Sequence, residues 1–334
     1  MMEKKKISAR IIADSQNEYG NRLTTFVLTF PRIVLAEFNT HRVISRNSAS
    51  SRAIPFEKMV KMVEEDPFIP IKWMKDHKGM QGTEYFEKGA ALKSMWLKAR
   101  DEATRHAEFL NIKGLTKQLC NRLLEPFMWH TVIATASEWQ NFFALRAHDQ
   151  AEIHIQELAY KMLDEYNANI PKVLKAGEWH IPFGDKIDES RIFKTEEWEG
   201  GKLNWKPHPS WESWADEWYQ TQKVKIATAR CARVSYLNFE GKDDYEADIK
   251  LHDTLLSSGH MSPFEHCARA MTEREFEASD VHCLTNNITE ELPEYYDSAE
   301  LCEKPGWSGN FEGFIQYRKM IKNESKTDSR VISK

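Results

Sequence analysis

The chain has 334 residues, 41% hydrophobic and 29% charged, an ordinary balance for a folded protein with a sizeable core. A formal charge of -5 excludes general coating of a nucleic-acid polymer, which needs a dominant basic surface. Five scattered cysteines without a CxxC pair, no apolar segment after MMEKKKISAR and no run near the roughly 20 apolar residues of a membrane span make a reduced, cytoplasmic protein the expectation, with no membrane partner.

In chain order, residues 7–12 and 22–30 alternate β-branched or aromatic with polar residues and are expected to be strands. Pro31 closes the second strand and is well placed to open a helix, IVLAEFNTHR. The stretch SRNSASSRAIP is too polar and turn-prone to continue it and reads as a loop, as do residues 64–84 with Pro67, Pro70, Gly79 and Gly82. Apolar spacing is helical from Glu84 to Ile112 and again, with interruptions, from Leu115 to Tyr166. Residues 177–222, rich in Trp, Pro and Gly without a period, read as a connector or insertion. Then come a strand (KIATARCARVSY), a helix near Asp248–Ser258, the turn GHMSPFEH, a helix at Phe311–Ile321 and a polar tail over 323–334. The organisation expected is one domain over 1–334, with blocks at 22–176 and 223–322 on either side of the connector.

The most informative segment is Asn39-Thr40-His41-Arg42-Val43-Ile44-Ser45-Arg46-Asn47-Ser48-Ala49-Ser50-Ser51-Arg52. Hydroxyls, backbone N–H groups and arginines concentrated at a helix end can form an anion-holding nest with bidentate phosphate contacts. The same composition also suits a solvated turn in which His41 and Arg42 complement the helix C-terminus. Further on stand Asn121-Arg122-Leu123-Leu124-Glu125-Pro126, then Asn141-Phe142-Phe143-Ala144-Leu145-Arg146, then Ala151-Glu152-Ile153. On a single helix over 137–163, Asn141 and Arg146 lie roughly 140° apart and face different ligands or different sides of one site. A third block reads Arg230-Cys231-Ala232-Arg233-Val234-Ser235-Tyr236, then Gly259-His260-Met261-Ser262-Pro263-Phe264-Glu265-His266. The histidines and Glu265 of this block have neither a Cys pair nor an HExxH helix beside them, so no metal site is expected.

Taken together, the three blocks resemble the ThyX family of flavin-dependent thymidylate synthases, whose signature is written RHRxxSxNExSxR. This chain gives His41-Arg42-x-x-Ser45-x-Asn47-Ser48-x-Ser50-x-Arg52, with Thr40 in place of the first Arg and Ser48 in place of the Glu. The first change removes a charge near flavin and nucleotide, and the second a nucleotide contact. In the family the ARVSY and GHxSPFEH segments stand ahead of the RHR loop, so the block order here is circularly permuted. Permutation is tolerable where chain ends meet at a surface.

The resemblance implies an α+β fold, an antiparallel sheet with a helical layer, assembled as a homotetramer with sites at subunit boundaries. It implies reductive methylation of dUMP to dTMP, with FAD as cofactor and NADPH and methylenetetrahydrofolate as co-substrates. Carried over by position, Arg146 is the catalytic residue, binding the uracil ring and stabilising charge that develops on it. Glu37, Ser48, Ser50, Arg52 and Arg122 join it as dUMP ligands. Thr40, His41, Arg42, Ser45, Asn47, Thr135, Ser137, Asn141, His260, Ser262 and Glu265 are the FAD candidates. The family works without an enzyme nucleophile; Cys231, flanked by Arg230 and Arg233, is expected to be packed in a strand. Two alternatives stay open: a flavin-dependent enzyme modifying pyrimidine nucleotides differently, as by hydroxymethylation, and a non-catalytic homologue that binds nucleotide or flavin.

Overall fold

The computed structural model describes residues 4–78, 82, 84–192, 212–237, 243–277, 310–322 and 324. Residues 193–211 of the connector and, apart from residue 324, the polar tail lie outside the described residues.

Two long strands, β1 (Ser8–Asn17) and β2 (Arg22–Pro31), open the chain as an antiparallel hairpin running from Ser8↔Thr29 to Gln16↔Arg22. Asn17 builds the turn: its Oδ1 accepts from the backbone N–H groups of Tyr19 and Asn21, at 3.1 and 2.9 Å. After Pro31 the expected helix is short, a 3-10 turn (Arg32–Val34) and α1 (Leu35–Asn39). The polar stretch expected to be wholly loop begins instead with a strand, β3 (Ser45–Ser48). Helices α2 (Phe56–Glu65), α3 (Ala90–Ile112) and α4 (Lys117–Cys120) follow, then a 3-10 segment (Asn121–Phe127).

Next comes β4 (Trp129–Ala136), inside a stretch read from sequence as interrupted helix. The correction has a clear cause. WHTVIATA is β-branched and lies mid-sheet, with all but its first residue buried, so it shows no alternation to mark it as a strand. The expected single helix over 137–163 is also two, α5 (Gln140–Arg146) and α6 (Ile153–Ala168). Glu152 caps the second, its carboxylate accepting from the N–H groups of His154 and Ile155 at 2.8 and 3.2 Å. Strand β5 (Lys172–Leu174) completes a sheet of order β3-β4-β2-β1-β5, antiparallel except that β5 runs parallel to β1.

A second, antiparallel sheet has the order β6 (Trp179–His180), β7 (Ala268–Ala270), β8 (Phe314–Gln316). Helices α7 (Glu189–Ile192), α8 (Glu212–Arg233), α9 (Tyr245–Ser257) and α10 (Tyr317–Met320) belong to this half of the chain. The KIATARC part of the expected strand KIATARCARVSY is thus helix, continuing through Arg233 into a 3-10 turn at Val234–Tyr236. Its alanines favour helix, and Val224, Ala227, Cys231 and Val234 recur at the spacing of one buried helical face. The helix expected at Phe311–Ile321 is instead the short strand β8 followed by the single helical turn α10.

Alternation along β2 explains the layers. Phe26, Leu28 and Phe30 point to one face, where they pack with Trp139 and Phe142 of the α5 region and with Ile155, Leu158 and Met162 of α6. Val27 points to the other face, against Ile133, Phe183, Cys231 and Val234. Each fully buried Phe contributes about 2–3 kcal/mol of transfer free energy. The protein is α+β, with helices on both faces of an antiparallel-dominated sheet. No helix among the described residues is long and apolar enough to cross a membrane.

Candidate active site

The Ser/Arg segment begins where α1 stops. Thr40 caps that helix and its Oγ1 donates to the Glu37 carbonyl at 2.6 Å. Arg46 reaches back from β3, its Nη1 donating to the carbonyls of His41 and Asn39 at 3.1 and 3.4 Å, so the turn is clipped to the strand that follows it. Pairing of β3 with β4, from Ser45↔Thr135 to Ser48↔Val132, turns Ser45 and Asn47 inward. Arg46 and Ser48 are only half-buried.

Arg146, the last residue of α5, is aimed at this turn. Its Nε donates to His41 Nε2 at 3.0 Å and its Nη2 to Thr40 Oγ1 at 3.2 Å. His41 must therefore offer a lone pair at Nε2 and stay neutral with its proton on Nδ1. Burial, then the neighbouring charges of Arg146 and Arg46, push its pKa below the usual imidazole value, which favours that form. The ring is buried edge-on against Phe142, with centroids 4.9 Å apart. Asn141, on the same helix, is exposed.

The loop after β3 is fastened from two sides. Asn121, fully buried, donates from Nδ2 to the carbonyls of Ser51 and Ile54 at 2.6 and 3.0 Å. Ser51 Oγ donates to Glu125 at 3.0 Å, a carboxylate that also pairs with Arg32 at 3.3 Å. The Ser50 N–H donates to the Ser235 carbonyl at 3.1 Å. Two exposed guanidiniums, Arg52 and Arg122, thereby flank one loop: Arg52 ends it, and Arg122 follows the residue that anchors it.

The block that comes last in sequence packs on the same strand. Gln316 Nε2 donates to Ser45 Oγ at 3.0 Å and to the Glu265 carbonyl at 3.3 Å. Asn47 Nδ2 donates to the Cys231 carbonyl at 3.4 Å, and Ser235 Oγ to the Ser48 carbonyl at 3.4 Å. Glu265 pairs with Arg318, and its charge raises the pKa of Arg46 against the larger, lowering effect of burial. His260 is exposed and bonded to Ser258 Oγ at 3.0 Å, and Ser262 is exposed. Segments 40–52, 121–146 and 260–266 thus meet at the β3–β4 side of the sheet.

The residues singled out from sequence fall into three groups, with His41 in the buried one. Thr40, Arg42, Arg52, Arg122, Asn141, His260 and Ser262 reach solvent. Glu37, Ser48, Ser50, Ser137, Arg146 and Glu265 are half-buried, and the buried Oε2 of Glu37 has no partner among the described residues. Ser45, Asn47 and Thr135 face inward with their side chains already bonded inside the protomer, while Ser137 Oγ accepts from the Glu312 N–H at 3.0 Å. Sequence reasoning missed Arg46, Asn121 and Gln316, which position the others. Arg46 stood inside the motif and Asn121 beside Arg122; nothing in the sequence pointed to Gln316.

Fold and site together define an α+β protein with an arginine- and hydroxyl-lined site at one side of a five-stranded sheet. The family model described as thymidylate synthase complementing protein, Thy1, matches residues 22–172. The ARVSY and GHMSPFEH segments lie outside the matched range and join it through the contacts above. Among solved structures the chain is similar to PolB, a UMP/dUMP methylase from Streptomyces cacaoi. The structure bound with 5-Br dUMP is 14% identical over 49% of this chain and 90% of that one, with a TM-score of 0.40. The structure bound with 5-Br UMP is 13% identical over 49% and 89%, with a TM-score of 0.39. No curated protein matches the chain.

Proposed function

We propose that the protein is a flavin-dependent thymidylate synthase. It methylates dUMP to dTMP with methylenetetrahydrofolate as carbon donor and NADPH-reduced FAD as hydride donor. The observation that carries this reading is the seating of Arg146 on His41 and Thr40, within a segment that matches the Thy1 family.

Two bonds fix the Arg146 guanidinium and leave its remaining N–H groups for a uracil edge, where a preorganised cation stabilises charge as it develops. Ser50, Arg52 and Arg122 hold the nucleotide phosphate, with Glu37 and Ser48 alongside. The donor set suits FAD: Arg42, Asn141, His260 and Ser262 present exposed donors suited to a diphosphate and an isoalloxazine edge, beside the exposed Thr40. Bound there, FAD supplies the hydride, and the protein supplies position and electrostatics. The thiols among the described residues support a route without an enzyme nucleophile. Cys120, Cys231 and Cys267 are all buried; burial raises the Cys231 pKa well above its usual value and that of Cys267 to about 12.

Assembly as a homotetramer, with sites completed across subunits, is part of the proposal. Its support is the apolar surface of α3 and the segment after it, where Met95, Phe109, Ile112 and Leu119 are each more than half exposed.

Incubating the purified protein with dUMP, methylenetetrahydrofolate and NADPH should give a product with the mass of dTMP, from a protein with a flavin absorption spectrum. A colourless protein that leaves dUMP unchanged would sink the proposal. Thr40 and Ser48, which replace the family's Arg and Glu, favour a second reading, a different one-carbon group at C5, and a hydroxymethyl product mass would select it.

A further inference from the structure

Between the two sheets runs a single file of buried polar groups that the site chemistry above does not use. Ser15 Oγ (β1) lies 2.9 Å from His180 Nδ1 (β6), and His180 Nε2 lies 2.8 Å from Thr25 Oγ1 (β2). Thr25 Oγ1 is 2.8 Å from Thr135 Oγ1 (β4), which is 2.8 Å from Nδ1 of His266, the residue after Glu265. All five residues are at least 95% buried. One end, Ser15, lines an open groove of about 1470 Å³ between β1 and the start of α8. At the other end, His266 Nε2 is buried without a hydrogen-bond partner among the described residues. The Glu265 carbonyl just before it is held by Gln316, which also holds Ser45.

We propose that this file is a proton wire that carries protons between the groove at Ser15 and Nε2 of His266, at the wall of the candidate active site. Burial holds the pKa of His180 near 4 and that of His266 near 3, so both rings are neutral at ordinary pH. A neutral imidazole has one donor and one acceptor nitrogen, and a hydroxyl has one proton to give, so the file can be satisfied in only two polarities. In one, every donor points toward His266, and His266 Nε2 carries a proton. In the other, every donor points toward Ser15, and Nε2 is a bare lone pair.

Passage from the second polarity to the first is balanced. Nε2 accepts a proton, and Nδ1–H passes its own to Thr135 while that hydroxyl hands its proton to Thr25. Thr25 passes one to His180 Nε2, His180 Nδ1 releases one to Ser15, and Ser15 releases one to the groove. Replacing the hydrogen at uracil C5 by carbon releases a proton. The wire rests on the proposed function for this use alone: it carries that proton from the site to the groove at Ser15.

The mechanism requires His180 and His266 to share one tautomer, both Nδ1–H or both Nε2–H. Nitrogen-15 NMR on the full-length, substrate-free protein reads this directly, together with solvent exchange of the ring N–H of His266. A matched tautomer pair is expected. In Thr25→Val, which keeps the shape and removes the hydroxyl, exchange at His266 should slow about tenfold or more, while Thr25→Ser restores it. A seam that merely packs the sheets predicts the opposite sign, because loosening it speeds exchange. Opposite tautomers in the unaltered protein, or exchange in Thr25→Val as fast as in Thr25→Ser, would overturn the wire. Neither reading needs turnover, so failure of the proposed reaction would show separately, as absence of product.

Discussion

Acid should destabilise this fold before its carboxylates begin to protonate. Burial lowers three imidazoles far below their ordinary value of 6.5: His130 to about 3, with Arg32 adding to the effect, His180 to about 4 and His266 to about 3. Below that ordinary value the unfolded chain takes up protons that the folded chain refuses. The stability tied to the neutral rings is therefore complete above about pH 6.5 and is lost progressively as pH falls toward 4 and 3. Between about pH 7 and pH 5 each ring accounts for about 2 kcal/mol, and the three together for about 6 kcal/mol. That is comparable with the whole stability of many domains, about 5–15 kcal/mol. Guanidinium unfolding at a series of pH values measures the loss, and His130→Gln should remove one proton from its slope. A loss below about 2 kcal/mol over that range, or imidazole signals titrating near 6.5, would refute the reasoning.

Other predictions concern the site and one turn. Arg146→Lys loses both fork contacts, to His41 and Thr40, and should lower turnover of dUMP by about 100-fold while the thermal midpoint barely moves; a change within about threefold in steady-state rate contradicts the assigned role. Asn121→Ala orphans the carbonyls of Ser51 and Ile54 in the loop after β3 and should cost about 2 kcal/mol in chemical unfolding, with weaker dUMP binding by calorimetry. Gly313 has φ 70°, and a Cβ there would sit 2.2 Å from Asn17 Nδ2, which donates to its carbonyl. Gly313→Ala should cost about 2 kcal/mol or more, and an unchanged melting temperature would count against this account of the turn.

The hairpin was legible because residues 7–12 and 22–30 carry alternation or β-branching that water and core enforce, and Pro31 marks where β2 ends. Strand β4 was not, because burial on both faces erases alternation, and helical neighbours on each side absorbed it into their pattern. Residues 225–233 failed in the other direction: Ile226, Thr228 and Arg230 mimic a two-residue period, while the alanines between them and the packing against the sheet decide for helix. At the site, motif spacing pointed to Thr40, His41 and Arg146, which the fold brings into contact. It could not reveal that Ser45, Asn47 and Thr135 face inward, since facing depends on the register of β3 against β4. Long-range polar partners such as Gln316 have no local signature at all.

The bond from Gln316 to Ser45 joins residues 271 positions apart. On a ribosome the first motif emerges long before the segment that braces it, so the strand carrying Ser45 must wait with its inward face incomplete while some 270 residues are added. Contacts of such sequence separation are slow to form. Synthesis therefore leaves a long interval in which a folded hairpin exists and a finished wall of the candidate site does not, and in that interval a chaperone or a second nascent chain finds an open edge.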